Sequence, residues 1–156
     1  MFNLPLHPIV VHFPIAIGSI MPIAMGFVIF GIRRWQWPTQ TWWLVILLQG
    51  IVFASALTAL KTGEMEEDHA EKKVSEQLIH EHEEWGEKVP VTAGIVFALT
   101  LLPLWIRKKS KALMMTSLVA SIGLVVVLIF TGHSGGKMVY NQALNPPGAA
   151  STTEDE

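Results

Sequence analysis

The sequence predicts an all-α integral membrane protein: a four-helix bundle with an outward-facing amphipathic surface helix between its second and third spans. Three observations carry this. Of the 156 residues, 51% are hydrophobic and only 15% are charged, a richer apolar and poorer charged content than soluble domains show. Four segments reach the roughly 20 mostly apolar residues that a helix needs to cross a bilayer. The charges between them alternate in sign from one connection to the next.

The first span, Ile9 to Ile32, opens with His7-Pro8-Ile9-Val10-Val11-His12-Phe13-Pro14. Pro8 suits the start of a helix, where its missing N–H would be unpaired anyway. The apolar run is too long for a cleaved signal segment and no small-residue cleavage site follows it, so it reads as a retained span. His12, Ala16, Ser19, Ile23 and Gly26 share one face. Lipid gives helices no hydrophobic drive to associate, so faces of small residues are where they pack. This predicts that His12 points into the bundle.

The second span is Thr41 to Leu60, with Gly50, Ala54, Thr58 and Thr62 in one row. Gly63 follows Thr62 and reads as a C-terminal helix cap. Between Glu64 and Trp85 there is neither proline nor glycine, and Ala70, Val74, Leu78 and Trp85 form an apolar stripe. That period predicts a helix on the outer surface, with His82 turned toward the protein and His80 away from it.

The third span, Val89 to Ile106, places Pro90, Gly94 and Ala98 in a row. The fourth, Ala112 to Thr131, does so with Thr116, Ala120 and Gly123. Gly132 after Thr131 repeats the Thr-Gly pair of the second span, suggesting two related hairpins. A four-helix domain over 1–140 leaves 141–156 as a disordered outer tail, rich in proline, small residues and acids.

Arg33 and Arg34 follow the first span, and Arg107, Lys108, Lys109 and Lys111 follow the third. Short basic connections stay on the cytoplasmic side. All 13 acids lie elsewhere, ten of them between Lys61 and Lys88. The expected topology is therefore multi-pass, with both termini and the 61–88 segment on the outer side of the membrane. Trp35, Trp37, Trp42, Trp43 and Trp105 are expected in the inner headgroup zone, and Trp85 and Tyr140 in the outer one.

The chain has no cysteine, which excludes disulfides, thiolate metal sites and cysteine-bound iron–sulfur clusters. The basic connections are short and explained by topology, so no nucleic acid is expected as a partner. His82-Glu83 is not a zinc-protease motif, because Gly86 stands where a second histidine is required. Ser134 beside His133 does not make a nucleophile.

All six histidines fall on the outer side, and His12 is the one ionisable group inside a span, where such groups are costly and point to function. Histidines at bundle ends suit haem iron, zinc, copper or non-haem iron. The first expectation is a redox protein with b-type haem near the outer face. His12 is one axial ligand and His82 or His133 the other, with His69 and His7 as further cofactor-binding candidates. Lys61, Lys88 and Lys137 are candidates to meet the propionates. The second expectation is a non-haem transition-metal site of His12, His82 and His133 with Glu64 and Glu83. A purely structural membrane subunit is the third.

The opening His-Pro-Ile-Val-Val-His-Phe-Pro and Thr62-Gly63-Glu64 resemble a bacterial four-helix membrane family, domain of unknown function 2231. So do the stretch ending His80-Glu81-His82-Glu83 with Gly86, and Thr131-Gly132-His133-Ser134-Gly135-Gly136-Lys137-Met138-Val139-Tyr140. The resemblance covers nearly the whole chain. Related domains are joined to c-type haem or Rieske iron–sulfur modules, which implies a place near respiratory electron transfer. This chain carries neither module, so the implied redox partner is a separate c-type cytochrome, a Rieske protein or a quinone. Contact with the lipid bilayer is expected, and a homo-oligomer is compatible with the sequence.

Overall fold

A computed structural model describes residues 6–70 and 74–144, with side chains for 6–67 and 74–141. The described chain is helical nearly throughout. A short helix α1 (His7–Val10) turns at Val11 into α2 (His12–Arg34), followed by α3 (Trp42–Ala70), α4 (Glu76–Trp105) and α5 (Ser110–Leu144). Single 3-10 turns, Thr39–Thr41 and Arg107–Lys109, precede α3 and α5. Four helical stretches are long and apolar enough to cross a membrane.

The helices run up and down in turn. Helices α2 and α4 each pack against α3 and α5, so they occupy one diagonal of a square bundle and α3 and α5 the other. The described acids gather at one end, called here the acidic end, and the arginine and lysine connections at the other, the basic end.

Buried positions form seams that alternate three and four apart. Among the buried residues, one such seam per helix is Pro14, Gly18, Met21, Met25 and Val28 in α2; Trp42, Val45, Gln49, Val52, Ala56 and Ala59 in α3; Val89, Ala93, Val96, Thr100 and Pro103 in α4; and Met114, Ser117, Ser121, Leu124 and Leu128 in α5, with Ile29, Gly31, Ile46, Ile79, Pro90 and Ser134 buried beside or beyond it. The mean spacing of 3.5 nearly matches the 3.6-residue turn and keeps each seam facing its neighbours. The opposite faces carry Ile20, Phe27, Leu47, Ile95, Val119 and Ile129, all exposed, as a lipid-facing surface requires.

The two halves share this register. Val89, Ala93, Val96, Thr100 and Pro103 of α4 answer in order to Pro14, Gly18, Met21, Met25 and Val28 of α2. Met114, Ser117, Ser121, Leu124 and Leu128 of α5 answer to Trp42, Val45, Gln49, Val52 and Ala56 of α3. The fold is a helical hairpin used twice.

Several expectations change. His12, Ala16, Ser19 and Ile23 are exposed. Their row has the spacing of the buried seam but lies two residues out of phase with it, about 200° around the helix. Ala54, Thr58 and Ala98 are exposed too, because a row stepped strictly by four drifts about 40° per step. Trp42 is buried rather than interfacial, and its indole N–H donates to the Thr100 carbonyl at 2.9 Å. Among the described residues there is no separate surface helix. Residues 64–70 prolong α3, Ser75 starts α4, and 76–85 continue directly into the third span. Gly63 and Gly132 are helix-interior residues and cap nothing, and α5 runs on to Leu144. The expected outer tail lies outside the described residues beyond 144.

Candidate functional site

At the acidic end two histidines from distant parts of the chain meet. The ring centroids of His7 and His82 are 6.2 Å apart and the planes cross at 81°. His7 belongs to the first turn of α1, and Pro8 sits in that same turn. The amides that begin this helix have no partner within it. Glu66 of α3 takes two of them, with Oε1 accepting from the N–H of Leu6 at 2.5 Å and of His7 at 3.2 Å. A carboxylate at a helix N-terminus is also favoured by the helix dipole. Glu66 thereby fixes the turn that carries His7.

The His7 ring is set by α3. Its Nδ1 lies 2.9 Å from the Ala59 carbonyl and 3.4 Å from Thr62 Oγ1. A carbonyl only accepts, so Nδ1 carries the proton and Nε2 keeps its lone pair. A Cβ built on Gly63 would lie 3.1 Å from His7 Cε1. Glycine is what lets the ring lie this close to α3.

The His82 ring is set the same way by α5. Its Nδ1 lies 3.0 Å from Ser134 Oγ, and that hydroxyl donates to the Thr131 carbonyl at 2.9 Å. With its one proton committed there, Ser134 accepts from His82, which again leaves Nε2 free. A Cβ on Gly135 would lie 3.1 Å from His82 Cε1. In the shared register Ala59, Thr62 and Gly63 correspond to Thr131, Ser134 and Gly135. Each half supplies a carbonyl, a hydroxyl and a glycine to hold one imidazole.

Electrostatics separate His82 from an ordinary surface histidine. His82 lies ahead of the apolar stretch that begins at Val89. Burial, and then the neighbouring His7, push its pKa below the ordinary histidine value, while the Thr131 backbone acts weakly the other way. Two imidazoles this close resist both being protonated. A ring anchored through Nδ1–H with its Nε2 left open is the arrangement that metal-binding histidines take.

The surroundings brace the pair. Thr131 Oγ1 donates to the Trp85 carbonyl at 3.1 Å, and Trp85 stacks on Phe130 at 4.7 Å. Lys137 pairs with Glu81 at 2.6 Å, and Lys88 lies over the Trp85 ring at 4.3 Å.

The profile of a family described as "Predicted membrane protein (DUF2231)" matches residues 3–145. The chain belongs to the DUF2231 family. No curated protein and no solved structure matches it.

In this DUF2231 chain the residues singled out from sequence are dispersed, apart from His7 and His82. His12 is exposed and its Nδ1 bonds the Pro8 carbonyl one turn back. His133 is exposed one position before Ser134, and His80 is exposed as expected. Glu64 is exposed and Glu83 half-exposed. The side chain of His69 lies outside the described residues. Among the described residues, no three histidine, aspartate or glutamate side chains converge on one point. Sequence reasoning passed over Ser134, Glu66 and the pairing of Gly63 with Gly135. The signal for the glycines was present in the Thr-Gly and Ser-Gly steps. It was masked by Thr131-Gly132, which copies Thr62-Gly63 three residues out of register.

Proposed function

We propose that this chain is a redox protein of the bacterial inner membrane that holds b-type haem iron between His7 and His82. The acidic end then faces the periplasm, with both termini outside, because the short basic connections favour the cytoplasmic side. The single observation that carries the reading is the His7–His82 pair, 6.2 Å between centroids. At that separation the Nε2 atoms of both rings could reach one metal ion, since a metal–imidazole bond is about 2 Å long. Gly63 and Gly135 leave bare backbone beside both rings, where a side chain would crowd a bound group.

His7 and His82 would hold the haem, which would supply one-electron chemistry toward a c-type cytochrome, a Rieske protein or a quinone. The chain's own residues orient the ligands. Ala59 and Ser134 fix which nitrogen of each ring is basic, and Glu66 holds the turn that carries His7. One observation favours a bare transition-metal ion as the second reading. Ala59 and Ser134 already hold the Nδ1 atoms, so an ion could take the two Nε2 atoms with both ring anchors left in place.

The test is the visible spectrum and metal content of protein made with ample haem. A Soret band that His7→Ala or His82→Ala abolishes, and that His12→Ala and His133→Ala leave in place, supports the haem site. A colourless protein that loses a stoichiometric metal in the same two variants replaces haem with the bare ion. Neither band nor metal sinks both readings.

A further inference from the structure

At the basic end a groove opens between the start of α3, the end of α4 and the start of α5. Its rim is polar, with Gln40, Arg107 and Ser110, and its floor is apolar, with Trp43, Pro103 and Leu104. Trp42 closes the groove from below, its N–H already spent on the Thr100 carbonyl. We propose that this groove seats one anionic phospholipid, its phosphate on Arg107 and an acyl chain along Trp43 and Leu104.

Charge complementarity selects this occupant. Arg33, Arg34, Arg107, Lys108, Lys109 and Lys111 crowd this end, and every described acid lies at the other. Among the described residues none offers Arg107 a carboxylate. A guanidinium matches a phosphate through paired N–H donors, which an ammonium does not. Arg107 lines the groove, whereas Lys108 and Lys109 do not. The chemistry of the floor points the same way. Trp43 and Leu104 sit beside the lipid-facing surface, with Trp43 57% exposed, and an indole at this depth suits the boundary between headgroup and acyl chain. The same offset between the hairpins pairs Arg107, just past the end of α4, with Ile32 near the end of α2, so the other hairpin has no guanidinium at the matching position.

Native mass spectrometry of the full chain, with phosphatidylglycerol and phosphatidylcholine of identical acyl chains, tests this independently of any metal or haem. The expected result is one retained phosphatidylglycerol in preference to phosphatidylcholine. Arg107→Gln should weaken that binding about fivefold and leave phosphatidylcholine unchanged. The Lys108→Gln, Lys109→Gln double variant should weaken it less than Arg107→Gln does, because neither lysine lines the groove. Equal retention of the two lipids overturns the proposal. So does a double variant that loses as much as Arg107→Gln, because the attraction is then diffuse. An unchanged melting curve for Arg107→Gln shows that any loss is not unfolding.

Discussion

Gly63 and Gly135 stand against the Cε1 edges of His7 and His82 in the same way, each leaving 3.1 Å for a Cβ that is not there. Gly63→Ala or Gly135→Ala must therefore displace a ring whose Nδ1 is anchored. We expect a loss of about 1–3 kcal/mol in stability, as for other overpacked sites, together with an altered metal or haem spectrum. Gly136→Ala is the control, since nothing lies within 4 Å of its added Cβ. Equal melting temperatures for all three variants would show that the rings are not held as described.

The turn after α2 rests on a second close approach. A Cβ on Gly31 would collide with the Trp37 ring at Cε3, and the Trp37 backbone N–H bonds the Gly31 carbonyl at 3.1 Å. Trp37 in turn meets Phe27 and Trp35 at 5.4 Å each. Gly31→Ala should expel Trp37, with a change in tryptophan emission and a cost of about 1–3 kcal/mol. Gln36 between them has φ of 55°. Gln36→Gly should stabilise the fold by about 1 kcal/mol, because a side chain is strained in that region. A destabilised Gln36→Gly protein would count against this turn.

The depressed pKa of His82 sets a sign for pH dependence in the metal-free protein. Above the ordinary histidine value both folded and unfolded chains hold His82 neutral, and its contribution is fully present. As pH falls through that value the unfolded chain takes up the proton first, so stability drops until the lowered folded value is passed. Melting temperature in detergent should decline over this window, and His82→Asn should flatten the decline. An identical slope in the variant would assign the effect to another group.

Topology can be read with single cysteines, since the chain has none of its own. Cysteines at Gln36 and Lys109 should be protected from an impermeant reagent in intact cells, and one at Gln77 should be labelled. Labelling at Lys109 would invert the proposed orientation and move the histidine pair to the cytoplasmic side.

Much of the architecture was legible in composition and order. Apolar length, the Arg33–Arg34 and Arg107–Lys111 connections and the absence of cysteine determined a four-helix membrane protein without thiolate chemistry. Each rests on a property summed over many residues, or on an absence, and neither depends on packing. The rotation of each helix about its axis was not legible. In water the apolar face marks the core, but a lipid-facing surface is as apolar as the seam. Nothing in the hydrophobicity of α2 says whether His12 with Ala16 or Pro14 with Gly18 turns inward. Only tertiary packing decided that. By fixing the phase it sent His12 and His133 outward and brought His7 to His82 across the bundle. It also made Gly63 and Gly135 the surfaces on which those two rings rest.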